Sequence, residues 1–452
     1  MPANNKNNGH WADEAAMAAA YWDHVETMMA RHNAALERAG AAHAVIFSGA
    51  PKLRFLDDNY YPFRANPHFA SWLPLTAHPL CYLVYTPGDT PVLVYYQEKD
   101  YWHAPPEEPE GFWTSYFDIR IVHELDEVAL ALPEARDKCI LLGEIDDAAH
   151  AFGIERVNPA TALNLLHYAR SVKTGYELEC LRAASRRAVD GHRAAEAAFR
   201  DGASEFDIHL AYCRAVGQTE KDLPYGNIIA LNEHGAILHY QHQSPNLPEV
   251  TRSFLIDAGA SVNGYAADVT RSYARRPGPF ANLIDRLDAM QQSIVAEIRA
   301  GVNYAGLHLR THELIADLLV EAGLANGSAE ALISNGVTSA FYPHGLGHFL
   351  GLQVHDVAGF MADDTGKTID PPSGHPFLRL TRTLEEGHVL TVEPGLYVID
   401  LLIENLEGTP GRKMLNDDAV AALRPYGGVR IEDNVRVLEN GCENLTRDAF
   451  AA

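Results

Sequence analysis

Residues 253–273 read SFLIDAGASVNGYAADVTRSY, two runs of apolar and β-branched residues joined through Asn263-Gly264. Asn-Gly is the strongest short signal for a two-residue hairpin loop, because both positions accept positive φ. With that loop, Val262 faces Tyr265; counting outward, Asp257 faces Thr270 and Asp268 faces Gly259. Strand side chains alternate between faces, so Asp257 and Asp268 emerge on one face as diagonal neighbours roughly 7–8 Å apart. Phe254, Leu255, Ile256, Ala266 and Ala267 around them are apolar. Two unpaired carboxylates in such a setting repel or take up protons, and a bound cation resolves the conflict. Solvation of both on an exposed face is the other reading of the hairpin alone.

Three further segments carry chemistry. FYPHGLGHFLGLQVHD (341–356) sets His344, His348 and His355 among Gly345, Gly347 and Gly351. Glycines permit close approach, and neutral imidazole is a good transition-metal ligand. The two glycines of HGLGH exclude the helical HExxH zinc motif. HVLTVEPGLYV (388–398) ends an apolar strand at Glu393, immediately before Pro394-Gly395. GGVRIEDNVRV (427–437) alternates, with Val429, Ile431, Val435 and Val437 on one face, and Arg430, Glu432, Asn434 and Arg436 on the other; Asp433 interrupts the apolar side. Asp257, Asp268, Glu393 and Glu432 with a histidine from His344, His348 and His355 are enough oxygen and nitrogen ligands for two metal ions.

The rest of the chain supplies the frame. Its 452 residues suit two or three domains. Trp11 to Gly40 reads as a helix with a glycine stop, and strand-like runs follow at 44–49, 81–88, 91–96 and 139–144, so the first part is a mixed α/β domain. All five tryptophans lie in it. A boundary at Ser171 divides an N-terminal domain, 1–171, from a C-terminal one, 172–452. The latter carries helical patterns at 176–200, 283–299 and 305–323. A net charge of −24 excludes a nucleic-acid binder held by bulk charge and argues against docking on anionic lipid. Five scattered cysteines without a CxxC pair fit a reducing compartment. With no secretory apolar stretch near the start and no membrane-length apolar run, the expectation is a soluble cytoplasmic protein.

The ordered set IDAGASVNGYAADVTR, PHGLGHFLGLQVHD, TVEPGLY and GGVRIEDN resembles the metal-binding motifs of the pita-bread metallopeptidases, the superfamily of methionine aminopeptidase, aminopeptidase P and prolidase. HGLGHFLGLQVHDVAGF and the N-terminal FLDDNYYPFRANPHFASWLP (55–74) look most like its bacterial proline dipeptidase branch, which includes enzymes with side activity on organophosphorus esters. The resemblance implies a two-domain fold, a mixed α/β N-terminal domain serving dimerisation and closure of the substrate site, followed by a pita-bread catalytic domain. It implies a dinuclear centre with Asp257 on one metal, Asp268 and Glu432 bridging, and His348 with Glu393 on the other. His344, His239 and His355 match histidines that orient substrate and stabilise the tetrahedral intermediate. Arg379 matches the arginine for the substrate carboxylate, and Arg430 one that supports the metal carboxylates. Tyr225 would line the leaving-group pocket. Asp58 would bind the free amino terminus in a neighbouring subunit's site, and Trp102 would contact substrate.

Four carboxylates and one imidazole form an oxygen-rich set suited to Mn²⁺, with Co²⁺ or Fe²⁺ as alternatives. Two such ions roughly 3.5–4 Å apart activate a bridging hydroxide to attack the scissile carbonyl. Glu393 is the candidate to carry the proton to the leaving nitrogen. The expected function is hydrolysis of Xaa-Pro dipeptides by a homodimer, with side activity on organophosphorus triesters. The alternatives are an aminopeptidase P acting on longer Xaa-Pro peptides, and a metal-free creatinase-like hydrolase or binding protein on the same fold.

Overall fold

Asp13 opens the first long helix, Glu14–Ala39, by accepting the Ala16 N–H, and Gly40, at φ 59°, ends it in the left-handed conformation that a side chain would disfavour. The expected helix is therefore present, starting three residues later than expected: Gly9–Trp11 forms a separate short 3₁₀ turn ahead of the cap. The computed structural model describes residues 9–102, 104–145 and 152–452. The chain divides into two units, one of 1–183, 262–265 and 362–367, the other of 184–261, 266–361 and 368–452.

The first unit holds five strands, β1 (His43–Phe47), β2 (Tyr82–Tyr85), β3 (Val92–Tyr96), β4 (Asp118–Val122) and β5 (Cys139–Leu142). Their order is β4-β3-β2-β1-β5, with β1 and β5 parallel, β3 and β4 parallel, and the other pairs antiparallel. Val45, Phe47, Tyr82, Val84, Val94 and Leu141 form a core in this sheet. Trp72 and Trp113 are buried, whereas Trp22 and Trp102 are exposed. Glu177 is buried in this unit, where Thr174 donates its backbone N–H to it at 2.8 Å.

The second unit is built on short strands: β6 (Ile228–Leu231), β7 (Ser253–Asp257), β8 (Ser261–Val262), β9 (Tyr265–Ala266), β10 (Thr270–Ala274), β11 (Val389–Val392), β12 (Gly395–Tyr397), β13 (Gly428–Arg430), β14 (Asp433–Leu438) and β15 (Gly441–Asn444). The last of β8 and the first of β9 fall, with the turn, in the residues grouped with the first unit. One three-stranded sheet runs β10-β7-β6, another β11-β14-β15, and β12 pairs with β13. Helix Pro279–Ala296 packs on β10, β11, β13 and β15. Its Leu287 and Ile294 join Leu390, Val392, Val429, Val435 and Val437 in one apolar core. Among the described residues no helix is long and apolar enough to cross a membrane.

The decisive hairpin has the register counted from its loop. Thr270 pairs with Asp257, and Asn263 and Gly264 take positive φ of 51° and 87°. Its two long strands are each interrupted, between Asp257 and Ser261 and between Ala266 and Thr270. The Ala258 N–H still reaches the Val269 carbonyl and the Ala267 N–H the Ala260 carbonyl, so the register persists through the break. Asp268 opposes Gly259 in a non-hydrogen-bonded pair, so its N–H points away from the hairpin partner, and it donates to Asn434 Oδ1 at 3.0 Å. A β-carbon at Gly259 would lie 2.1 Å from the Ala267 carbonyl oxygen, so the close approach here requires glycine.

Candidate metal centre

Each acidic side chain of the centre sits where a strand stops. Asp257 is the last residue of β7, Asp268 lies in the gap between β9 and β10, Glu393 follows β11, and Glu432 occupies the gap between β13 and β14. The period-two alternation of 427–437 turns Arg430, Glu432 and Asn434 the same way. Arg430 Nη2 lies 2.6 Å from Asp257 Oδ2, Thr270 Oγ1 donates to Glu432 Oε2 at 2.7 Å, and the Asn434 side chain brackets the Asp268 backbone from both sides.

His348 arrives on the glycine-rich segment, which runs antiparallel beside β11. The Thr391 N–H donates to the His348 carbonyl, the Glu393 N–H to the Leu346 carbonyl and the Leu350 N–H to the Val389 carbonyl. Gly347 has no room for a side chain, since a β-carbon would lie 2.1 Å from the Thr391 carbonyl oxygen. His348 Nδ1–H donates to the Phe349 carbonyl at 2.9 Å, which fixes the tautomer whose Nε2 lone pair faces the acids. That Nε2 is 3.4 Å from Asp268 Oδ2 and 3.7 Å from Glu393 Oε1. Such separations are long for hydrogen bonds and suit atoms sharing an ion at bond lengths of about 2.1 Å. One ligand atom from each of Asp268, His348 and Glu432 lies within 4.8 Å of the others.

Electrostatics shows what this donor set lacks. Asp268, His348 and Glu432 are 5%, 3% and 2% exposed. Burial, reinforced by Asp268, Glu393 and Asp257, pushes the Glu432 carboxyl well above its ordinary range. Burial likewise lifts Glu393 to about 7, and it raises Asp257 despite Arg430. Burial would raise Asp268 too, but His348 brings it below its usual value. Four carboxylates thus meet one arginine and one imidazole, and divalent cations fit the deficit.

The neighbouring predicted residues are placed unequally. The Tyr225 hydroxyl lies 2.8 Å from Asp257 Oδ1 and 2.5 Å from Asp268 Oδ1, joining the two acids of the hairpin. His344 Nδ1–H donates to the Gly345 carbonyl at 2.9 Å, and its Nε2 accepts from the Tyr397 hydroxyl at 2.9 Å. Burial, then the Arg430 charge, lowers His344 to about 3, so its ring is neutral. The His355 ring stands 4.3 Å from that of His348; burial, then His348 and Arg379, bring it to about 4. His239 and Arg379 are exposed, and both are near enough to His355 for their charges to act on it. Asp58 and Trp102 belong to the first unit. Asp58 is exposed and accepts from Asn59 Nδ2 at 3.2 Å; Trp102 is 76% exposed beside Tyr101.

Tyr397, Thr270, Asn434 and Thr391 are supports that the motifs alone do not single out. Arg430 Nη1 donates to the Tyr397 hydroxyl at 2.9 Å, and that hydroxyl continues to His344. The position of Thr270 opposite Asp257 in the hairpin was the available signal for it; Asn434 shares the face of Glu432.

Strand-end carboxylates and a backbone-oriented histidine around one small volume define a metal-dependent hydrolase. Residues 179–439 match metallopeptidase family M24 and residues 19–168 match the Xaa-Pro dipeptidase N-terminal domain, and the chain belongs to the M24 family in its bacterial prolidase branch. A Xanthomonas oryzae pv. oryzae protein named Xaa-Pro dipeptidase is 50% identical over 433 residues, covering 96% of this chain and 98% of the relative. A Pseudoalteromonas haloplanktis protein of the same name is 48% identical over 433 residues, with the same coverage. Zinc-substituted aminopeptidase P of E. coli, solved in complex with product, shares the fold at a TM-score of 0.70 and 23% identity, over 94% of this chain and 95% of that one. The expected two-part architecture, a mixed α/β domain before a pita-bread catalytic domain, is the one found.

Proposed function

We propose that this enzyme hydrolyses Xaa-Pro dipeptides with two divalent ions held by Asp257, Asp268, His348, Glu393 and Glu432. The observation that carries this is the convergence of Asp268, His348 and Glu432 within 4.8 Å, with too few cations among the side chains to balance the acids. Mn²⁺ is the ion best matched to four carboxylates and one imidazole, with Co²⁺ and Fe²⁺ next. When bound, the pair supplies Lewis acidity at the scissile carbonyl and activation of the attacking water.

The side chains divide the remaining work. Glu393 turns Oε1 toward His348 Nε2 and Oε2 toward His344 Nδ1, 3.8 Å away. One oxygen serves as ligand, and the other carries the proton from the nucleophile to the leaving nitrogen. The nitrogen of an Xaa-Pro bond bears no hydrogen, so the pocket needs no acceptor for it. Neutral His344, held between the Gly345 carbonyl and Tyr397, orients the substrate together with His239 and His355. Arg379 pairs with the substrate's C-terminal carboxylate, while Arg430 holds Asp257 in place. The first unit, with Asp58 and Trp102, serves dimerisation and recognition of the free amino terminus in a cytoplasmic homodimer.

Hydrolysis of Ala-Pro and Ala-Pro-Ala-Ala by manganese-reconstituted enzyme tests the reading. Ala-Pro is expected to be the better substrate, and strong preference for the longer peptide would make the enzyme an aminopeptidase P. A phosphotriester's phosphorus is itself tetrahedral, like the intermediate of peptide hydrolysis, and its attack by water likewise builds negative charge on an oxygen that the same site would stabilise. Phosphotriester turnover above that of Glu393→Gln is therefore expected, and its absence in enzyme active on Ala-Pro removes that side activity.

A further inference from the structure

A second group of metal-type ligands lies in the catalytic unit. His308 and His312, four residues apart on helix Tyr304–Glu321, share a helix face. His375 joins them from a segment near Gly374, with His308 Nε2 and His375 Nδ1 3.0 Å apart. The three ring centroids are 4.5–4.9 Å apart, and one ring nitrogen of each residue lies within 4.8 Å of the others. No residue of this trio is among the carboxylate centre's ligands. The rings meet Tyr342, whose ring is 5.0 Å from His312 and 4.9 Å from His344.

The large majority of buried side-chain polar atoms have a hydrogen-bond partner. Both ring nitrogens of His24 in the first unit do, with Nδ1 on Thr174 Oγ1 and Nε2 on the Ser71 carbonyl. The trio departs from this. His308 and His312 are 1% and 2% exposed; His308 turns Nε2 to His375, while His312 Nε2 has no hydrogen-bond partner. The adjoining Tyr342 hydroxyl is a second buried polar atom without one. His312 Nδ1 is engaged by Thr338 Oγ1 at 3.0 Å, the outer hydrogen bond that leaves Nε2 free to present a lone pair inward.

We propose that His308, His312 and His375 bind one late first-row divalent cation, Zn²⁺ by preference, at a site separate from the dinuclear centre. Three imidazoles without a carboxylate suit Zn²⁺, Ni²⁺ or Cu²⁺, whereas the oxygen-rich centre suits Mn²⁺. A cation between His308 and His375 replaces the proton that their facing nitrogens share. Burial, then the neighbouring histidines, lowers His308 to about 2 and His312 to about 3, and burial lowers His375, so all three rings are neutral and able to ligate at neutral pH. His375 is only half-buried and gives the ion an entry.

The test titrates ZnCl₂ into the full-length, manganese-loaded enzyme and counts both metals in the gel-filtered protein by mass spectrometry. One zinc per chain is expected above the manganese, with the manganese retained. His375→Ala, a change at a half-buried position, is expected to weaken that zinc by more than the roughly 10–100-fold that losing an outer-shell partner costs. His312→Gln should do the same, and Glu432→Gln should lose manganese while keeping the zinc. Zinc that enters only by displacing manganese, or that binds His375→Ala as tightly as the parent, overturns the assignment.

Discussion

Glu432 and Asp433 are consecutive, equally buried carboxylates with opposite electrostatic fates. Asp433 Oδ1 lies 2.7 Å from Arg271 Nη2, and its Oδ2 accepts from Arg447 Nε at 2.7 Å and Asn444 Nδ2 at 2.9 Å. Burial would raise its carboxyl, but Arg271 and Arg447 hold it below the ordinary range. Glu432 receives one hydroxyl, from Thr270, and faces three other acids. The chain supplies the counter-charge on one side of the strand and leaves it to be supplied by ions on the other. A compensated buried acid is architecture; an uncompensated one, among other acids, is a binding site.

The most severe way to break this contrast is Asp268→Asn or Glu432→Gln. Either should lower kcat/KM on Ala-Pro by about 10³-fold, on the order of 4 kcal/mol. Metal per chain should fall in parallel, and retention of both ions by the variants would sink the ligand assignment. On the compensated side, Asp433→Asn should destabilise the protein by about 3–5 kcal/mol, because two arginines lose their charged partner. Since its folded pKa is depressed, that stabilisation is full above the ordinary 3.8 and vanishes as pH falls through the lower folded value. Denaturant melts of both proteins at neutral and strongly acidic pH read this directly; an equal gap at both would contradict it.

The uncompensated side predicts the reverse slope. Glu393, raised from 4.5 to about 7, and Glu432, also raised, make the metal-stripped fold bind more protons than the unfolded chain. Its stability should therefore fall as pH rises from 5 to 8, by on the order of 3 kcal/mol for Glu393 alone. Saturating Mn²⁺ should flatten that slope, and thermal melts with and without the ion check it. The smallest effect is expected from Tyr397→Phe, which cuts the Arg430–Tyr397–His344 relay at the cost of one hydroxyl. A loss of about 1–2 kcal/mol, roughly tenfold in kcat/KM, with metal content unchanged is the expected outcome.

Much of the centre was legible because its parts are local. The Asn263-Gly264 loop set the pairing of Asp257 with Thr270, and Pro394-Gly395 marked where β11 ends and Glu393 emerges. The expected helices at 283–299 and 305–323 are found at Pro279–Ala296 and Tyr304–Glu321, where Pro279 at the first turn and the Asn303 cap set the earlier starts. The setting of Asp268 was not legible, because the partner of its outward-facing N–H and C=O is the Asn434 side chain, 166 residues away. His308 and His312 stood in plain view as HLRTH, but nothing local points from them to His375.

What the sequence determined by itself is the chemistry of short stretches: alternation, turn residues and the order of five candidate ligands. These depend on periods of two and 3.6 residues and on φ preferences, which act over a few positions. Only the tertiary structure decided which charges are balanced. Arg271 and Arg447 reach Asp433 from 162 and 14 residues away, while the acids at 257, 268, 393 and 432 converge with one arginine among them. Burial removes the water that would otherwise screen them, so the balance of charge, and with it the demand for metal, arises only when distant segments pack.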